Sequence, residues 1–223
     1  MSHLPHSPEE LKRLYEARFQ GKALYRRRVW DELCRYFSQW IPRGATVLDL
    51  GCGHCEFINA VGCGRKYGMD LNPDSRSAAA DGVEILLNDC SAPWPIPAGS
   101  IDVVFSSNFF EHLPTKRALE DTLRQAWAAL AEGGKMILLG PNIKYVPGRY
   151  WDFFDHYLPL TELSLSEVLT ASGFTIDLCR DRFLPYTMSQ GRERPVWMLR
   201  AYLRLPLAWR FFGEQFLIVA SKR

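Results

Sequence analysis

Apolar residues recur every three or four positions through residues 9–40, where Leu11, Leu14, Tyr15, Phe19, Trp30, Leu33 and Phe37 share one side. This spacing predicts a helix, closed by Ile41-Pro42-Arg43-Gly44. The pattern then changes to short apolar runs at 46–50, 66–70, 83–87, 101–106 and 135–140, each with the length of a buried strand. Helical stretches separate them: a short one over 56–61, and an amphipathic one over about 116–131 that carries Leu119, Leu123, Trp127 and Leu130 and stops at Gly133-Gly134. Runs at 174–178 and 216–220 add two late strands, with a long insert, 180–213, between them. Strand runs alternating with helices predict βαβ units and a mostly parallel α/β sheet.

Composition narrows this little. A chain of 223 residues suits one domain, read here as an N-terminal helical segment (1–43), a ligand-binding core (44–142), a lid (143–160) and the insert. The balance of 27 basic and 25 acidic residues argues against a general nucleic-acid binder, so no nucleic-acid partner is expected. No run of about 20 apolar residues and no basic-then-apolar leader is evident, so a cytoplasmic protein is expected. The six cysteines are then most simply reduced thiols.

The chemistry gathers at Val47-Leu48-Asp49-Leu50-Gly51-Cys52-Gly53, where an apolar strand runs straight into a Gly-x-Gly turn before the 56–61 helix. Glycines there allow backbone to approach a ligand, and the next helix offers free N–H groups. A dinucleotide site would carry a third glycine where Glu56 stands and an apolar residue in place of Asp49. Carboxylates on both sides of the turn would repel a pyrophosphate and favour a cation. Asp70 closes the second strand run, where a carboxylate can take both hydroxyls of a ribose, and Asp89 follows the third, suited to accept from an exocyclic amine. The ligand so outlined has a ribose, an amine-bearing base and a positive centre, and S-adenosylmethionine has all three. Separately, each aspartate also fits a turn or a cap. Cys52-Gly53-His54-Cys55 has the look of a metal or redox motif but lacks a four-ligand set, so no metal site is predicted.

Together with Gly68-Met69-Asp70, Asn88-Asp89-Cys90, the stretch Ile101 to Leu113 with its Ser107-Asn108 and Glu111-His112, and Gly133 to Leu138, the chain resembles the class I S-adenosylmethionine-dependent methyltransferases. The resemblance covers about residues 45–140. It implies a Rossmann-like seven-stranded sheet of order 3-2-1-4-5-7-6, with only the last strand antiparallel and helices on both faces. It also implies that Asp49, Gly51, Cys52 and Gly53 shape the methionine pocket, that Asp70 and Leu71 meet the ribose, that Asp89 and Cys90 flank the adenine, and that Ser107 and Asn108 line the floor.

For the acceptor, residues 143–158 are too aromatic for a plain solvent loop. Tyr145, Tyr150 and Trp151, with His112, are the expected acceptor contacts. His156 is the expected base and the adjacent Asp155 its orienting carboxylate. Arg26-Arg27-Arg28 reads as a solvated helix face. Residues 192–212 mix arginines with aromatic and aliphatic side chains, a composition that suits an anionic membrane surface, a pocket cover or a dimer face. The expected activity is methyl transfer to a hydroxyl of a small or lipid-linked acceptor. The alternative is a non-catalytic cofactor-binding module acting through a protein partner.

Overall fold

In the computed structural model, residues 23–186 and 193–223 are described. The expected helix over 9–40 appears as α1, Ala23–Phe37; its expected part over 9–22 lies outside the described residues. There follow β1 (Thr46–Leu50), α2 (Glu56–Ala60), β2 (Arg65–Asp70), α3 (Ser75–Ala78), β3 (Val83–Leu87), β4 (Ile101–Ser107), α4 (Lys116–Ala129), β5 (Leu130–Pro141), α5 (Glu162–Ala171), β6 (Thr175–Arg180), α6 (Val196–Leu203), α7 (Pro206–Phe212) and β7 (Gln215–Ser221).

The seven strands form one sheet in the order β3-β2-β1-β4-β5-β7-β6. Only β7 runs antiparallel to its neighbours, β5 and β6. The central strands β1 and β4 are largely apolar and buried because both faces are covered. One face packs Leu48, Val104 and Met136 against Leu119, Leu123 and Ala126 of α4 and Leu165 and Leu169 of α5. On the other, Val29, Leu33 and Phe37 of α1 meet Phe57, Phe105, Leu203 and Trp209, with Phe57 stacked on Phe105 at 3.6 Å between centroids.

The helix before β5 ends two residues earlier than the spacing predicts. Leu130 is already extended, at φ −69° and ψ 136°. The Gly133-Gly134 pair instead bends the entry to β5: Gly133 sits at φ +76°. Gly133 N donates to Lys222 O and Lys222 N to Gly134 O, each at 2.9 Å. Among the described residues the insert carries two helices, α6 and α7, with Pro206 at the start of α7, where its missing N–H has no helical partner to lose. Glu32 of α1 accepts from Arg200 Nε at 3.0 Å and Nη2 at 2.5 Å, fastening α6 to α1. The Arg200 guanidinium leads burial in setting Glu32, so its carboxyl stays below the usual range.

Candidate functional site

The ends of β1, β4, β5 and β7, with α1, enclose one cleft. The loop after β1 forms part of its lining. Gly51 N and Cys52 N both donate to Met69 O, at 2.9 and 3.1 Å, which ties the loop to the end of β2. Gly51 has φ +73°, and a Cβ there would lie 2.3 Å from Phe109 Cδ2. Only glycine meets both conditions. Gly53 and Cys55 also adopt the left-handed region, at φ 49° and 61°, so three loop residues turn without regular structure.

Asp49 faces this cleft while only 4% exposed. Burial drives its carboxyl well above the usual range, and the carboxylates of Asp70 and Glu56 add to the effect. Asp70 spans the loop: Oδ2 accepts from Gly53 N at 2.7 Å and Oδ1 from Asn72 N at 2.8 Å. Burial raises its pKa despite these bonds. Backbone N–H groups do not exhaust the roughly four acceptor sites of a carboxylate, which leaves room for a ligand hydroxyl.

The fold draws Asp49, Gly51, Cys52, Gly53, Ser107 and Asn108 around the cleft. Asp70, Leu71, Asp89 and Cys90 lie beyond its lining. Asp89 Oδ1 caps its own turn, accepting from Ser91 N at 2.9 Å and Ser91 Oγ at 2.7 Å. Cys90 is buried and takes a hydrogen bond from Thr122 Oγ1 at 3.4 Å. Cys52 and Cys55 approach to 3.8 Å. The Cys55 hydrogen bond, with burial, pushes the Cys52 thiol far up, opposite to a redox dithiol, whose thiolate must be accessible.

Toward α1, Arg26 Nη2 meets Glu56 Oε1 at 2.7 Å. Arg26 therefore belongs to the cleft wall and not to a solvated face, while Arg27 and Arg28 are exposed. At the other end, Glu111, His112, Phe153, His156, Tyr186 and Gln215 complete the cleft. Asp155 was expected to orient its sequence neighbour. Its carboxylate instead lies on His112, with Oδ2 3.2 Å from Nδ1 and its backbone carbonyl 2.8 Å from the same nitrogen. Burial opposes charge on the His112 ring, yet the Asp155 and Glu111 carboxylates outweigh it and hold the ring's pKa above its ordinary value. His156 is buried, stacked on Phe153 at 5.0 Å and edge-on to His112 at 4.9 Å.

The expected acceptor aromatics lie elsewhere. Tyr150 is 0% exposed and its hydroxyl donates to Leu158 O. Tyr145 donates to Asp181, with the Arg182 guanidinium 3.7 Å over its ring. Trp151 is 54% exposed. Residues 143–160 are thus pinned at several points. One cleft residue carried no signal in the sequence. Gln215, first in β7, donates from Nε2 to Pro185 O at 3.0 Å, while its buried Oε1 accepts no hydrogen bond among the described residues. Only the crossover of β7 beside β5 brings it here. A loop that no side chain can fill at Gly51, a buried carboxyl and an unmatched buried acceptor together fit a cationic ligand with N–H or O–H donors, as S-adenosylmethionine is.

Comparison with known proteins agrees. A family model for the methyltransferase domain matches residues 23–178. An Encephalitozoon cuniculi protein assigned by name to the methyltransferases is 30% identical over 127 residues, covering 56% of this chain; the chain spans 59% of that relative's length. Among solved structures, a S-adenosylmethionine-dependent methyltransferase from Archaeoglobus fulgidus matches with a TM-score of 0.65 at 19% identity, over 95% of this chain and 99% of that one. A chain of the Haloferax volcanii complex between the Trm112 methyltransferase activator and a methyltransferase matches with a TM-score of 0.65 at 21% identity, over 87% and 90%. By family and by fold, this chain belongs to the class I S-adenosylmethionine-dependent methyltransferases.

Proposed function

We propose that the chain, acting as a single domain, methylates a hydroxyl oxygen of a small or lipid-linked acceptor. The observation that carries this reading is one continuous cleft, with Asp49 and the bare Gly51 turn at one end and the His112–His156 pair at the other. When bound, S-adenosylmethionine supplies a methyl group on a positively charged sulfur. Asp49 would favour that charge. Asp70 and Leu71 would take the ribose and Asp89 and Cys90 the adenine, with Ser107 and Asn108 as the floor. His156 would accept the proton of the acceptor hydroxyl, with Asp155 holding the neighbouring His112 in place. Phe153, which lines the cleft, is a better acceptor wall than Tyr145, Tyr150 or Trp151.

The direct test is label transfer from methyl-tritiated S-adenosylmethionine to a metabolite extract. A His156→Ala variant is expected to lower turnover by about 10²–10⁴-fold, the range for general-base catalysis, with cofactor affinity within about twofold. Full activity would take His156 out of the role of base.

Asp49 sets a second expectation. Burial, with Asp70 and Glu56, disfavours charge on its carboxyl and raises its pKa in the free protein; Cys34 and Cys52 feel its field in turn. A cation nearby favours the ionised form, so the pKa falls on binding and a proton leaves. Cofactor affinity should therefore rise with pH from about 4, the ordinary carboxylate value, up to the raised value of the free protein. Calorimetry in buffers of different ionisation heat should detect proton release in the native chain and none in Asp49→Asn.

A second reading, a cofactor-binding module working through a protein, draws support from the exposed Trp197, Leu205, Leu207, Phe211 and Phe212 on and between α6 and α7, and from the likeness to a chain of the Haloferax activator complex. The same face, with Arg204 and Arg210, supports peripheral membrane contact by a cytoplasmic protein and a lipid-linked acceptor; residue 192 of the expected segment lies outside the described residues. No helix among the described residues is long and apolar enough to cross a membrane. Cofactor binding without label transfer would favour the module.

A further inference from the structure

We propose that Glu111, His112 and His156 form a site for one divalent transition-metal ion at the acceptor end of the cleft. Each offers one ligand atom, and the three atoms lie within 4.8 Å of one another. Bonds of about 2.0–2.2 Å to a shared ion place ligand atoms about 3–4 Å apart, so small side-chain rotations would close the set.

The backbone holds these residues together. Glu111 and His112 lie in a 3-10 turn after β4, Phe110–His112, while His156 comes from the segment after β5. Tyr157 N and Leu158 N both donate to Glu111 O, at 2.8 and 3.1 Å, clamping the two stretches side by side. A second observation points the same way. His112 Nδ1 is held by Asp155, through the carbonyl at 2.8 Å and the carboxylate at 3.2 Å. That leaves Nε2 as the outward atom, in the carboxylate–histidine arrangement that orients metal-bound imidazoles. All three candidate ligands line the cleft, so the ion's remaining positions open toward it. Two imidazoles and one carboxylate suit zinc, manganese, iron or cobalt better than magnesium or calcium, and a dication balances Glu111 and Asp155.

The role that follows rests on the methyl-transfer reading. An acceptor hydroxyl in an open position would lose its proton to solvent more readily beside the ion. Its oxygen then forms the new O–CH3 bond as the C–S bond breaks and the electron pair stays on sulfur, leaving a neutral thioether. His156 would then act as a ligand and not as the proton acceptor.

The test strips the purified full chain with chelator and titrates it with Co2+, while S-adenosylhomocysteine affinity is measured in parallel. Saturation at one equivalent is expected, without the near-ultraviolet absorption of a thiolate–metal bond. Glu111→Gln and His156→Ala should each weaken Co2+ binding at least tenfold with S-adenosylhomocysteine affinity kept. Should either variant lose its fold, electron paramagnetic resonance of the Cu2+-loaded native chain counts the histidines directly, and two imidazole nitrogens are expected. No saturable binding, a thiolate band from Cys52 and Cys55, affinity untouched by both substitutions, or fewer than two imidazoles would overturn the site and leave His156 as the base. Loss of S-adenosylhomocysteine binding in the native chain would instead overturn the cofactor reading, since metal binding is read independently.

Discussion

Gly51→Ala should cripple the cofactor pocket and destabilise the whole chain. Two costs add at this one position. The backbone is at φ +73°, and a side chain held there costs about 1–3 kcal/mol. The new methyl would also lie 2.3–2.8 Å from Cδ2, Cγ and Cβ of Phe109, and overpacking of this kind costs about 1–3 kcal/mol. Phe109 packs against the core beneath it, so its ring cannot simply swing away. A loss of about 3 kcal/mol lowers the melting temperature of a domain this size by roughly 6–12 °C. Cofactor affinity should fall at least tenfold, because the loop must shift where the ligand would lie. Gly44→Ala is the control: nothing stands within 4 Å of its Cβ, and it should melt within about a degree of the native chain. If Gly51→Ala melts and binds like Gly44→Ala, the turn is not the constrained cradle described above.

Asp70→Ala should weaken cofactor binding by about 1.5–3 kcal/mol, the range for a hydrogen bond to a charged group, or roughly 10–100-fold in Kd. The structure gives this residue more to do than ribose recognition. Its two oxygens hold Gly53 N and Asn72 N, so its removal leaves those N–H groups unmatched and loosens the loop at Gly53, while the Gly51 and Cys52 bonds to Met69 O remain. Asp70→Asn should be little better, because its NH2 group would face one of those N–H donors. Calorimetric titration with S-adenosylhomocysteine measures both variants, and circular dichroism confirms folding. Unchanged affinity would remove Asp70 from the site.

These two expectations differ in how much of each could be read from the chain. That Gly51 and Asp70 belong to a ligand site follows from their places after the first and second apolar runs. That Gly51 abuts Phe109, 58 residues on, does not, since local spacing carries no information about which ring packs on which loop. The same split recurs at the acceptor end. Residues 143–158 are conspicuous for their aromatics, but the choice among them was made by packing. Tyr150 went to the core, Tyr145 to Asp181 and Arg182, and Phe153 to the cleft. Asp155 and His156 are adjacent in sequence, so pairing them is the natural reading. Successive residues leave an irregular segment in different directions, and the Asp155 carboxylate met His112 instead. Arg26 reads as surface because helix periodicity cannot show that Glu56 waits opposite.

What the chain determines alone is the alternation of apolar runs and helices, the bare turn after the first strand and the acidic residue at each of three strand ends. From these follow a mostly parallel α/β sheet and the nature of the ligand, because strand burial, glycine conformations and charge are local properties of residue type and spacing; the strand order follows from the family resemblance alone. Tertiary structure alone decided which of those carboxylates faces the cleft, that Gln215 brings a buried acceptor there, and that Glu111, His112 and His156 converge. Each depends on segments brought together from distant parts of the chain by the crossover of β7 and the clamp of residues 157–158 on Glu111, and such contacts are chosen by the packing of the whole sheet.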